Sequence, residues 1–219
     1  MKALGILMLD TRFPRIEGDI GNPKSFDFPV IFRTMTGIGP NDAVAAHPDR
    51  PRVLAALKAN ADALAAEGAV GLSTSCGFLA LYQKDLEAVS PVPVATSALL
   101  LIRGLKGRRV GVITASAANL TPAHLEAVGA PGDTPVEGLP PDGSFAATFL
   151  RNGLTLDRDA VEREAVAAGR ALIARHPDVD TVVLECTNLP PYKAAIARAL
   201  GLPVFDVLDL LRDFRARLA

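Results

Sequence analysis

Two cysteines occur in the 219 residues, and they sit at matched places. Cys76 lies in Ser73-Thr74-Ser75-Cys76-Gly77-Phe78-Leu79, and Cys186 in Glu185-Cys186-Thr187-Asn188-Leu189. Cys76 precedes Pro93 by 17 positions, and Cys186 precedes Pro203 by 17. Upstream, Gly5-Ile6-Leu7 stands 71 positions before the first cysteine, and Gly111-Val112-Ile113 stands 75 before the second. The cysteines are therefore equivalents in an internal duplication. Two thiols on opposite sides of one ligand can do acid–base chemistry, one removing a proton as thiolate while the other donates one as thiol. An unperturbed thiol of pKa about 8.5 is only about 3% ionised at pH 7, and lowering the pKa to about 7 makes half of it thiolate. The competing reading, that each cysteine is a small buried hydrophobe, holds for a single cysteine but does not account for the pairing. Zinc is not expected, because His47, His124 and His176 show no ligand spacing relative to the cysteines.

The elements that must position these thiols alternate between short aliphatic runs and alanine-rich segments of helical period, the pattern of an α/β fold with parallel strands. In the first half, strands are expected at Ala3–Leu9, from about Pro29, at Ala69–Ser75 and at Val92–Thr96. Asp49 and Pro51 open a helix through Val53, Leu57, Ala61 and Leu64 that Gly68 closes, and Gly77–Val89 reads as mostly helix. The second half repeats the order with strands Arg109–Thr114 and Asp180–Glu185 and helices Ala118–Val128 and Asp157–Arg175. Both cysteines then fall between a strand end and a helix start, where α/β folds bind ligands. A helix amino terminus offers free N–H groups and partial positive charge, which favour a thiolate or hold a carboxylate; Asn188 before Pro190-Pro191 is expected to cap such a terminus. The reading is two similar parallel-sheet lobes related by a pseudo-twofold duplication, with a cleft between them. The first lobe spans 1–97, completed by the helix 207–219 if that helix packs back on it, and the second spans 98–206. Residues 98–105 could equally cross into the second lobe. The irregular stretch Thr11 to Phe28 exceeds ordinary loops and suggests a lid or binding loop.

The two cysteine motifs, with Gly5-Ile6-Leu7, Asp10 and Val110-Gly111-Val112-Ile113-Thr114, resemble the aspartate/glutamate/hydantoin racemase superfamily over essentially the whole chain. The resemblance implies a racemase or epimerase without cofactor or metal, in which one thiolate takes the proton alpha to a carboxylate and the opposite thiol reprotonates the other face. It implies catalytic roles for Cys76 and Cys186, with Asp10 as the acidic residue that assists a thiol. It implies substrate contacts from Ser75, Gly77 and Phe78 beside the first thiol and from Thr187 and Asn188 beside the second. Thr114 and Ser116 match positions that hold a carboxylate or enolate. Asp10 is the repeat equivalent of Ser116, since Gly5 to Gly111 and Asp10 to Ser116 are both 106 positions, and a turn role suits it as well. Glutamate racemases typically carry Asn-Thr and Thr-His after their two cysteines. Here Gly77-Phe78 and Thr187-Asn188 stand instead, which points to an acid with a less polar side chain. Arg12, Arg15 and Lys24 in the long loop could meet a second carboxylate, although such loop cations are usually solvated.

Composition narrows the rest. With 49% hydrophobic and 21% charged residues the chain can build a core, and a net charge of −1 offers no field for a polyanion, so nucleic acid is not an expected partner. No run approaches the roughly 20 apolar residues that span a bilayer, and the start reads as a strand rather than a signal peptide. A soluble, cytoplasmic protein with reduced thiols is expected. The expected partner is a small carboxylic acid, an amino acid first, and a homodimer is compatible with the lobes. Two other functions fit the same residues: a decarboxylase or cis-trans isomerase of the same superfamily that uses one cysteine, and a non-catalytic two-lobe protein whose cleft holds a carboxylate.

Overall fold

A computed structural model describes residues 2–218, so Met1 and Ala219, the outer limits of the expected lobes, lie outside the described residues. Two four-stranded sheets are present, and every pairing in them is parallel. The first contains β1 (Ala3–Leu9), β2 (Val30–Met35), β3 (Ala69–Thr74) and β4 (Val94–Ala95) in the order β2-β1-β3-β4. The second contains β5 (Val110–Thr114), β6 (Val136–Gly138), β7 (Thr181–Leu184) and β8 (Val204–Phe205) in the order β6-β5-β7-β8. Seven α-helices accompany them: α1 (Pro40–Ala43), α2 (Arg50–Ala66), α3 (Gln83–Val89), α4 (Pro122–Ala127), α5 (Arg158–Arg175), α6 (Lys193–Leu200) and α7 (Val207–Arg217).

The duplication inferred from spacing is visible bond by bond. In one half Leu72 donates its N–H to Pro93 O, and in the other Val182 donates to Pro203 O, both at 2.9 Å. Ser75 N–H reaches Leu7 O and Glu185 N–H reaches Ile113 O, again both at 2.9 Å. Each cysteine carbonyl then accepts from the residue three positions on, Leu79 or Leu189, at 3.1 Å. The strand end, the cysteine and the tight turn after it are thus one local structure written twice.

Helix α2 forms where its signals lie: Asp49 Oδ1 accepts from Arg52 N–H, Pro51 occupies the first turn, and Gly68 just past the end takes φ 96°. Its buried stripe, Val53, Leu57, Ala61 and Leu64, lies against the first sheet, and each fully buried leucine contributes about 1.5–3 kcal/mol. Helix α5 does the same in the second half through Val161, Ala165, Ala168 and Leu172, with Asp157 as its cap. Two expected helices differ in their starts. The segment 77–82 is a 3-10 helix that becomes α-helical only at Gln83. In the second half α4 begins at Pro122, after a turn in which Ser116 O accepts from Asn119 and Leu120, because Thr121 and Pro122 supply the cap and the first-turn residue.

Each half ends by crossing to the other. The 3-10 segment Ala98–Gly104 packs on β7 of the second sheet, while α7 packs beside β4 of the first. Lys2 Nζ donates to Leu218 O at 3.1 Å, and the Arg215 guanidinium lies 5.1 Å from the Phe28 ring centre. A single continuous set of buried apolar side chains results, running from Leu4 in β1 to Phe214 in α7.

Candidate active site

The two cysteine turns face one another. Thr187 Oγ1, in the second turn, donates to Ser75 O in the first at 2.6 Å, and this bond is fully buried. Both thiols line one closed cavity between the sheets' carboxyl ends, together with Ser75, Gly77, Phe78, Thr187 and Asn188. The other walls come from the long loop, through Thr11, Phe13 and Arg15, and from the segment around 145–150, through Phe145, Phe149 and Leu150. The cavity is about 20 Å3, room for roughly one water and not for a small organic acid, so substrate binding requires a wall to move.

Local hydrogen bonds fix each part. Ser75 Oγ accepts the Leu9 N–H at 2.8 Å and ties the first cysteine turn to β1. Asn188 does not cap the helix that follows it. Its Oδ1 accepts from the Cys186 thiol at 3.6 Å and its Nδ2 donates to Asp19 Oδ2 at 2.6 Å, so the side chain is spent between the thiol and the long loop. Asp19 is 1% exposed, and its other oxygen takes Arg15 Nη1 and the Gly21 N–H, both at 2.7 Å. Arg15 lies 4.5 Å from the Phe13 ring centre and is held off solvent, with 13% of its side chain exposed. The loop cation expected to be solvated is therefore part of the wall, while Arg12 and Lys24 are exposed as expected. Opposite, the stretch Ala146–Leu150 is a π-helical turn, a geometry that recurs at functional sites. Glu164 accepts from the Ser144 and Phe145 N–H groups and anchors it. Phe145 and Phe149 meet tilted at 45° with ring centres 4.7 Å apart, and Phe13 meets Phe149 edge-on at 4.9 Å. Asn152, at φ 55°, closes the turn and accepts the Arg12 N–H at 2.7 Å.

Three expected site residues lie off the cavity wall. Asp10 accepts the Gly37 N–H at 2.9 Å, a turn role, although its neighbours Leu9 and Thr11 line the cavity. Ser116, its repeat equivalent, sits in the turn before α4. Thr114 acts one bond away: its hydroxyl donates to Glu185 Oε2 at 2.7 Å. That bond leads to the group that motif reading passed over. Glu185 is 0% exposed and lies on the cavity wall beside Cys186, and Gly77 faces it so closely that a Cβ there would overlap its carbonyl and its Oε1. Burial pushes its carboxyl up to about 8. The signal available in the sequence was its place directly before the second cysteine.

Burial opposes the ionisation that the turn N–H groups favour. Desolvation, then the neighbouring Glu185, push Cys76 up to about 12, against the lowering influence of N–H groups of Phe78 and Leu79 and of Arg15. Cys186 is likewise raised well above the ordinary range by burial and by Glu185. The turn donors are present as anticipated, but removing the sulfurs from water outweighs them. With its thiols held neutral by burial and Arg15 paired to Asp19, the cavity carries little net charge. Among the described residues no cluster of His, Cys, Asp and Glu suits a metal, and no helix is long and apolar enough to cross a membrane.

Two parallel-sheet halves presenting paired thiols at their shared carboxyl edge define a class of two-lobed α/β protein. The profile of the Asp/Glu/Hydantoin racemase family matches residues 94–212, and the chain belongs to that family. The fold agrees: a mutant of arylmalonate decarboxylase in a sulfate-associated form superposes with a TM-score of 0.67 at 20% identity, covering 99% of this chain and 92% of that one. Relatives in sequence carry another activity in their names. A dimethylsulfoniopropionate lyase of Durusdinium sp. clade D is 29% identical over 94% of this chain and 71% of its own length. Dimethylsulfoniopropionate lyase 5 of Emiliania huxleyi is 32% identical over 97% of this chain, which spans only 44% of that relative.

Proposed function

We propose that this enzyme is a lyase that removes a proton alpha to a carboxylate and expels a leaving group from the neighbouring carbon, with dimethylsulfoniopropionate as its substrate. This replaces the racemase expectation with the lyase side of the same superfamily. The observation that carries it is the pairing of two thiols in one narrow cavity whose two sides differ. Racemisation needs comparable acid–base groups on both faces of one carbon. Here Ser75, Gly77 and Phe78 flank Cys76, whereas their equivalents beside Cys186 are Glu185, Thr187 and Asn188. Elimination needs one base, and the relatives named as lyases favour it.

The steps balance simply. A cysteine thiolate takes the proton from the carbon next to the carboxylate, and the electron pair is held in the carboxylate as an enediolate. The pair then forms the carbon–carbon double bond as the carbon–sulfur bond breaks, its electrons leaving with dimethyl sulfide. Acrylate remains, and the thiol returns its proton to solvent. A sulfonium group suits these walls, because Phe78, Phe145 and Phe149 offer aromatic faces to a cation. The same cation favours ionisation of a neighbouring thiol, countering the burial that holds Cys76 near 12.

Incubation with dimethylsulfoniopropionate and headspace measurement of dimethyl sulfide tests the proposal, with acrylate followed by NMR. Release of both in equal amounts supports it. Carbon dioxide from an arylmalonate, with no dimethyl sulfide, would instead favour a decarboxylase. Binding without turnover of any acid would favour a non-catalytic carboxylate-binding protein.

A further inference from the structure

Glu185 has half of its polar capacity unused. It follows β7 directly and is fully buried; Oε2 accepts from the Thr114 hydroxyl at 2.7 Å, whereas Oε1 has no hydrogen-bond partner. Burial raises this carboxyl to about 8 and outweighs the Thr114 hydroxyl and the Ala115 N–H, which favour its ionised form, so it is held as the neutral acid at pH 7. With Oε2 engaged as an acceptor, the proton belongs on Oε1. The result is a donor without an acceptor on the wall of the cavity, and the side chain at position 77 is absent where any Cβ would overlap that oxygen.

We propose that Glu185 binds the substrate carboxylate through Oε1–H and keeps that hydrogen bond while the carboxylate gathers charge as an enediolate. This deepens the lyase reading and rests on it for the identity of the substrate. The chemistry follows from the charge that must develop. Taking a proton alpha to a carboxylate puts a second negative charge near an existing one, so a preorganised donor at that oxygen strengthens its bond during the reaction. A carboxylic acid kept neutral by its surroundings can be such a donor, where a carboxylate would repel the substrate. The ionisable and charged groups around the same space are Cys76, Cys186 and Arg15, with Asp19 behind Asn188. Both thiols are raised further than Glu185, so Glu185 is the first of the three to lose its proton as pH rises.

The test uses 4-methylpentanoate, an unreactive carboxylate with the carbon framework of the sulfonium acid, titrated into the whole protein by calorimetry between pH 6.5 and 9.5. In the native protein the dissociation constant is flat below pH 8 and weakens about 30-fold by pH 9.5, because one donor is lost about tenfold per unit. Glu185→Gln keeps an N–H donor and an oxygen that accepts from the Thr114 hydroxyl; it binds within about threefold of native at pH 7, and the alkaline weakening disappears. Glu185→Ala loses binding at every pH, with circular dichroism confirming the fold. A native-like alkaline limb in Glu185→Gln, or no binding of the probe by native protein at pH 7, would overturn the proposal. Dimethyl sulfide assays are scored separately: a probe profile as described without dimethyl sulfide release refutes the lyase reading alone, and release without the profile refutes the role of Glu185 alone.

Discussion

Gly77→Ala adds one methyl group at the contact between the two cysteine turns. The methyl carbon would fall inside contact distance of Glu185 O and Oε1, and one of these is backbone that cannot swing aside. Overpacking of this kind costs about 1–3 kcal/mol. For a chain of this size each kcal/mol lowers the melting temperature by about 2–4 °C, so a fall of about 2–12 °C is expected. Catalysis should suffer more than stability, because relief must come from moving Glu185 or the turn that carries Cys76. A displacement of about 1 Å at reacting groups costs about 100-fold in rate. Gly104→Ala is the control: a Cβ there meets nothing within 4 Å, and its φ is not positive. Differential scanning fluorimetry and a dimethyl sulfide assay on both variants decide the matter. If Gly77→Ala melts and turns over like Gly104→Ala, the close apposition of the two turns is wrong, and the site built on it falls.

Other consequences are independent of that contact. Because burial lifts Cys76 from 9.0 to about 12, its thiolate fraction at pH 8 is about a thousandfold below that of an ordinary thiol, and iodoacetamide should modify the native thiol at least that much more slowly than the unfolded chain; equal rates by mass spectrometry would refute the closed, desolvated site. The sign is fixed by the direction of shift: reactivity should still be climbing at pH 10, where an unperturbed thiol has levelled off. Asp19→Ala leaves Arg15 and the Asn188 amide without their buried partner and should cost about 3–5 kcal/mol, read as a loss of denaturant midpoint with unchanged slope. Asp10→Asn should lower activity by less than about threefold, since the Asp10 carboxylate is engaged by the Gly37 N–H; a loss of 100-fold would restore the assisting role that its resemblance implied.

Much of this molecule is written locally in its sequence. The duplication was legible because the cysteines, the prolines 17 positions after them and the apolar strands before them are all set by backbone geometry, which repeats when sequence repeats. Helix α2 was legible for a similar reason, since Asp49, Pro51 and Gly68 act within a turn of their own positions. The partners across the cavity were not. Glu185 reads as any acid until the fold buries it beside Gly77, and Arg15 reads as a solvated loop cation until Asp19 and Phe13 enclose it. Phe145 and Phe149 come from a segment with no periodic signal, where a π-turn aims them. The thiol ionisation failed for a related reason: the turn N–H groups are local, whereas desolvation is a property of the whole assembled wall. Asp10 shows the limit of repeat arithmetic, for its equivalence to Ser116 is real while neither side chain lines the cavity.

The account turns on removal of a proton alpha to a carboxylate by a cavity thiol. The most direct measurement is NMR of dimethylsulfoniopropionate in D2O with native protein, Cys76→Ser and Cys186→Ser. Native protein should give acrylate with dimethyl sulfide, and the variant lacking the base should lose at least about 1,000-fold in rate. Full activity in both serine variants, or native protein that leaves the acid unchanged, would contradict it.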